Sequence, residues 1–171
     1  IDLQNEYLEG PIALPGARSA IASAARLLRA ARASGAPVFH IAHKGRPGGL
    51  FDRNAERGQI VAELMPQAGE AAIEKTLPNS FAGTELHARL TEAGRKNLII
   101  VGFMTHMCVS STSRAALDLD YRVTIDANGC ATRNLPDGHG GVVPADMLNE
   151  IALIELSDRF AILARSTDKL L

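Results

Sequence analysis

The chain has 171 residues, 46% of them hydrophobic and 22% charged, with a net charge of −1, enough for one domain with a substantial core. So balanced a charge leaves no footprint for nucleic acid or an anionic membrane surface, no apolar run approaches membrane-spanning length, and no signal-peptide pattern opens the sequence. Two cysteines make no disulfide framework, which suits a reducing cytoplasm.

The sequence begins abruptly at Ile1-Asp2-Leu3, which reads as the tail of a buried strand and suggests that residues precede it. Gln4-Asn5-Glu6-Tyr7 follows, then a loop punctuated by Gly10, Pro11, Pro15 and Gly16. Arg18 to Ala33 is an alanine-rich helix with Ile21, Ala24, Ala25 and Leu28 on one face and Gly35 placed as a cap. Pro37 to Ala42 reads as a strand. Lys44 to Arg57, rich in glycine and charge, is a long loop of the kind that frames a site.

Gln59 to Met65 reads as a short helix stopped by Pro66, and Ala72-Ile73 as a short strand running into Leu77-Pro78-Asn79-Ser80-Phe81. Thr84 to Ala93 forms an amphipathic helix with Leu86, Leu90 and Ala93 inward. Leu98 to Val101 is a buried strand, broken by Gly102 and followed by helix-compatible sequence from about Val109. Tyr121 to Ile125 is a further strand, expected to end in Asp126-Ala127-Asn128-Gly129. After a loop with Pro136, Gly138, Gly140 and Gly141, Pro144 opens a helix through about Ser157, with Met147, Ile151 and Ile154 predicted on its buried side and Leu148 a further candidate there. Phe160 to Ala164 is the last strand. Strands alternating with helices imply right-handed βαβ units and a parallel sheet covered on both faces. The expectation is a single α/β domain over residues 1–171.

The stretch from Asn97 to Leu119 carries the chemistry. A strand, a tight turn and a helix put Cys108 near a helix N-terminus, where unpaired amides favour an anion and the thiol pKa is expected to fall. The same amides suit a developing oxyanion. The plainer reading of a free cysteine is a small buried hydrophobe. Functional groups in such a sheet collect beyond the carboxyl ends of its strands, and Asp2, Lys75 and Cys108 all lie at such ends. A carboxylate can take the thiol proton, and an ammonium can steady both. Taken singly, Asp2 is a turn residue and Lys75 a solvated lysine.

The sequence resembles the isochorismatase-like cysteine hydrolases, a family that includes nicotinamidases, N-carbamoylsarcosine amidases and isochorismatases. Three segments carry the likeness: Ile1-Asp2-Leu3-Gln4-Asn5; Glu74-Lys75 through Asn79-Ser80-Phe81 and Gly83-Thr84-Glu85-Leu86; and Gly102-Phe103-Met104-Thr105-His106-Met107-Cys108-Val109. The resemblance implies a Rossmann-like three-layer α/β/α fold with a central, mostly parallel sheet. It implies a triad of Asp2, Lys75 and Cys108, in which Asp2 moves the proton, Lys75 steadies the ion pair and Cys108 attacks a carbonyl to give a thioester. It further implies a cis peptide at Phe103-Met104 that aims the Met104 amide, with that of Cys108, at the oxyanion. Homo-oligomers are common in this family.

Nicotinamidases in this family carry a metal on an Asp-x-His with a further histidine. Here the region reads His40-Ile41-Ala42-His43-Lys44, and two histidines at i, i+3 on a strand point to opposite faces. No metal or other cofactor is expected. Tyr7, His43, Asn79, Phe81 and His106 are candidate substrate contacts, with Phe81 equally readable as core and His106 as a polar contact at the helix start. Cys130 reads as structural, and His87 as exposed. Arg46, Arg53 and Arg57 read either as holding a substrate carboxylate or as a solvated loop. The function expected is hydrolysis of a C–N (amide or imide) bond in a small molecule. The alternatives are vinyl-ether hydrolysis of the isochorismatase type, with Asp2 as acid, and a non-catalytic α/β binding module.

Overall fold

The structure, a computed structural model, describes residues 1–170. After the single turn α1 (Glu6–Glu9), the alanine-rich helix α2 spans Ala17–Ala33, and β1 runs Phe39–His43. β2 (Ala71–Lys75) lies parallel to β1, with Phe39 opposite Ala71 and His43 opposite Lys75. Helix α3 (Leu86–Glu92) leads to β3 (Asn97–Phe103), then a π-helical turn (Thr105–Val109) and α4 (Ser110–Asp118). β4 (Arg122–Ala131), the short hairpin strands β5 (Leu135–Pro136) and β6 (Val142–Val143), α5 (Ala145–Arg159) and β7 (Ala161–Ala164) complete the order. β3, β4 and β7 are parallel neighbours.

The segment Ile1–Leu3 joins the two parallel groups of strands. The Ile1 nitrogen donates to the Val101 carbonyl at 2.7 Å, the Phe103 amide donates to the Ile1 carbonyl, and the Asp2 amide donates to the Ile41 carbonyl. Ile1 thus lies along β3 and Asp2 along β1, as a buried strand end would. Gly102 makes this approach possible. Its φ is +138°, and an added Cβ would meet the Ile1 carbonyl oxygen at 1.9 Å. An apolar cavity of about 530 Å³ lies beside this junction, between the edges Phe39–Ile41 and Asn97–Val101 and away from Cys108.

Two apolar clusters cover the two sheet faces. Ala20, Ile21 and Ala24 of α2 pack with Leu3, Ala42, Phe103 and Ala131 on one side. On the other, Leu86 and Leu90 of α3, Ala116 of α4 and Leu153 and Leu156 of α5 pack with Ile41, Ile73, Ile100 and Ile125. This is the α/β/α layering expected. Among the described residues no helix is long and apolar enough to cross a membrane.

Three local expectations are corrected. Gln59 to Met65 is not a helix; only a 3₁₀ turn forms, at Ala62–Leu64. β4 does not end at Asp126. Against β3 the register shifts around Val101, and pairing resumes at Gly102 with Cys130; Asp126 still pairs with Ala164 of β7, and its buried carboxylate accepts from the Thr167 hydroxyl at 2.7 Å. Met147, Ile151 and Ile154 of α5 face outward, each more than half exposed, while Ala152, Leu153 and Leu156 are buried.

Candidate active site

Each chemical group sits where its local backbone delivers it. Asp2 has a left-handed φ of +53°, a conformation rarely taken by non-glycine residues outside special sites, and is fully buried. Lys75 is the last residue of β2, on the same sheet face as His43 of β1, its register partner. Cys108 lies within the π-helical turn that joins β3 to α4. The Phe103-Met104 peptide is cis, as the resemblance implies.

These segments meet at the Lys75 ammonium. Its Nζ lies 2.6 Å from Asp2 Oδ2, with both side chains at 0% exposure, and donates to Cys108 Sγ at 3.3 Å. His43 Nδ1 lies 3.3 Å from the same nitrogen. Asp2 Oδ1 has no protein donor among the described residues. Asp2, His43 and Cys108 place ligand-type atoms within 4.8 Å of one another, but the ammonium already holds the position a cation would take. His40 turns to the other face, where its Nε2 meets Glu70 Oε2 at 2.8 Å, so the two histidines do diverge.

The expected fall in the Cys108 pKa does not occur. Burial pushes the thiol up to about 12, the Asp2 charge adds to the rise, and Lys75 opposes it. The cysteine is enclosed within the turn and not presented at an open helix end, so desolvation outweighs the favourable amides. The resting form is therefore a thiol beside a carboxylate. Cys130 on β4 is also buried, its thiol likewise raised to about 12 by burial, in keeping with a structural residue.

The surrounding residues divide. Tyr7 is buried between Phe51 and Phe103, at centroid distances of 5.1 and 5.4 Å. Burial pushes its hydroxyl pKa upward, followed by the charges of Asp2 and Cys108. His106 Nδ1 contacts the Thr132 hydroxyl at the end of β4, and burial lowers its pKa. Asn79 folds back to accept from the Phe81 amide at 2.9 Å. Phe81, a candidate pocket residue equally readable as core, stacks on Tyr121 at 5.7 Å within the apolar layer beneath α4, and it also lines the apolar cavity away from Cys108. Exposed His87 meets the Tyr121 hydroxyl. Arg53 pairs with Glu74 and Arg57 with Glu6, so two of the three loop guanidiniums already have carboxylates within the protein.

Two participants were not singled out in the sequence. Gln4 is fully buried; its Oε1 accepts from the His43 amide at 2.8 Å, and its Nε2 donates to the carbonyls of His43 and Gly58. A polar side chain two residues beyond Asp2 in a buried segment was the available signal. Arg133 follows β4 with a buried Nε that has no acceptor among the described residues, and its charge acts on Tyr7 and His106. Nothing in the local pattern marks it.

The isochorismatase domain family matches residues 1–168. The chain belongs to the isochorismatase family of hydrolases. The structure of an isochorismatase from Pseudomonas putida superposes with a TM-score of 0.96 at 44% identity, covering 99% of this chain and 87% of that one. The secreted isochorismatase effector Isc1 of Verticillium dahliae is 34% identical over 98% of this chain and 86% of its own length. A ureidoacrylate amidohydrolase from Rhizobium rhizogenes is 30% identical over 71% of this chain and 64% of its own length. An isochorismatase-family chain is thereby an enzyme and not a passive binding module.

Proposed function

We propose that this hydrolase cleaves a C–N bond of a small amide or imide through a thioester on Cys108. The observation that carries the reading is the convergence of three groups from distant segments, with Lys75 Nζ 2.6 Å from Asp2 and 3.3 Å from Cys108. The amidohydrolase named among the relatives supports C–N chemistry. Asp2 takes the thiol proton as Sγ attacks the carbonyl carbon, which offsets the cost of ionising a thiol raised to about 12. Lys75 keeps its charge between the two and steadies the thiolate as it forms. The Met104 amide, together with that of Cys108, receives the oxyanion. Asp2 then protonates the departing nitrogen, and later deprotonates the water that hydrolyses the thioester.

An enzyme that works through a free thiol suits a reducing compartment such as the cytoplasm. The outward apolar row on α5 supports self-association through that helix. Neither metal nor organic cofactor enters the scheme. The test is mass spectrometry of protein quenched during turnover of a panel of small amides and ureides. An acyl adduct on the Cys108 peptide, absent in Cys108→Ala together with all turnover, is the expected result. Activity that survives Cys108→Ala on a vinyl ether would replace this reading with Asp2-only acid catalysis.

A further inference from the structure

We propose that His43 is the positioning residue of the Lys75 ammonium, and that it makes the triad's readiness acid-sensitive. The inference rests on the triad reading above and adds a fourth member to it. An ammonium has three protons. The structure offers three acceptors for them: Asp2 Oδ2 at 2.6 Å, Cys108 Sγ at 3.3 Å and His43 Nδ1 at 3.3 Å. With all three in place the ammonium cannot rotate away from the thiol. An Nδ1 that accepts from Lys75 requires the imidazole proton on Nε2.

His43 is itself held from several sides. Gln4 grips its backbone amide and carbonyl, so the residue two positions after Asp2 fixes the residue that faces Lys75. Phe51, from the long loop, packs on the ring at 5.1 Å. The charged and titratable groups facing the ring are Lys75 from β2, Asp2 from the first segment and Cys108 from the π-helical turn. Lys44 and Glu74 alternate to the other sheet face, where they pair with each other.

Burial, and then the Lys75 charge, lower the His43 pKa below its usual 6.5, against the opposing pull of Asp2. At neutral pH the ring is an acceptor. When it is protonated, an N–H and a positive charge face the ammonium, and the third contact is lost.

The test uses iodoacetamide, which needs no knowledge of the substrate, with labelling of Cys108 followed by peptide mass mapping between about pH 5 and 8. His43→Asn keeps an acceptor near the Nδ1 position but does not titrate, whereas His43→Leu removes it. His43→Leu should label about ten- to a hundredfold more slowly at neutral pH, the range expected for losing a hydrogen bond to a charged group. His43→Asn should stay within about threefold of the parent. Beyond the fall that loss of thiolate alone produces, parent labelling should drop further once the pH is below the usual histidine range, and that extra drop should vanish in His43→Asn. Equal rates in His43→Leu and the parent, or an unchanged acid fall in His43→Asn, would overturn the proposal; the latter arm decides even where His43→Leu folds poorly. If instead the parent labels no faster than an ordinary thiol and Asp2→Asn changes nothing, the triad reading itself is overturned, and the role of His43 with it.

Discussion

At the scale of single residues, the centre of the site is a buried charge pair that the proposed chemistry needs and stability tolerates. Asp2 and Lys75 both lie at 0% side-chain exposure, 2.6 Å apart. Removing one member of such a pair leaves the other desolvated and unpaired, at a cost of about 3–5 kcal/mol, while replacing both with uncharged groups of similar size is often close to neutral. Asp2→Asn should therefore lower the unfolding free energy in urea by about 3–5 kcal/mol. Adding Lys75→Met to it should restore most of that loss, though not activity. A double variant no more stable than Asp2→Asn would show that the pair's worth lies in shape and not in charge. The same logic explains why the thiol is held protonated at rest: a third charge in this enclosure, beside the Asp2 carboxylate, is unfavourable until Asp2 takes up the proton.

At the scale of elements, α5 shows what the sequence could convey and what it could not. Its segment Met147-Leu148-Asn149-Glu150-Ile151-Ala152-Leu153-Ile154 is apolar around most of the helix circumference, so periodicity finds a helix but does not choose its buried face. The choice is made by packing on β7 and β4, which draws Leu153 and Leu156 inward. Phe81 is a similar case, since only the arrival of Tyr121 forty residues later gives it a stacking partner. Asp2, Lys75 and Cys108 were legible as neighbours for the opposite reason: each lies at or just beyond a strand end, and a parallel sheet brings such ends to one edge. Gln4 was hidden because its partners, His43 and Gly58, are distant in sequence. Leu153→Ala should cost about 2–5 kcal/mol as a core truncation. Ile151→Glu should change stability by no more than about 0.5 kcal/mol and, on the proposed self-association through α5, shift sedimentation toward the monomer. A large stability loss in Ile151→Glu, with unchanged sedimentation, would remove α5 as the self-association surface.

At the scale of the whole molecule, protonation sets where the fold holds. His40, His43 and His106 all have pKa values lowered from 6.5, with burial the leading cause in each. The folded state therefore binds fewer protons than the unfolded chain once the pH falls below about 6.5, and stability present above that pH is lost as it falls. Glu70 acts in a lower window. The Arg32 guanidinium, which it meets at 2.7 Å, leads in holding its pKa to about 2 against an ordinary 4.5. Its contribution is thus complete above 4.5 and disappears on the way down to about 2. Two of these groups touch, since His40 leans on Glu70, so protonating Glu70 also removes a charge that favours the His40 imidazolium. Urea midpoints measured from about pH 8 to pH 2 should accordingly hold steady to about 6.5, decline, and decline again below about 4.5. His40→Gln should flatten part of the first decline without altering Cys108 labelling, because His40 faces away from the triad. A midpoint constant from pH 8 to 5 would mean that the three rings reach solvent and titrate freely. The acid loss of reactivity assigned to His43 would then have to arise within the site alone.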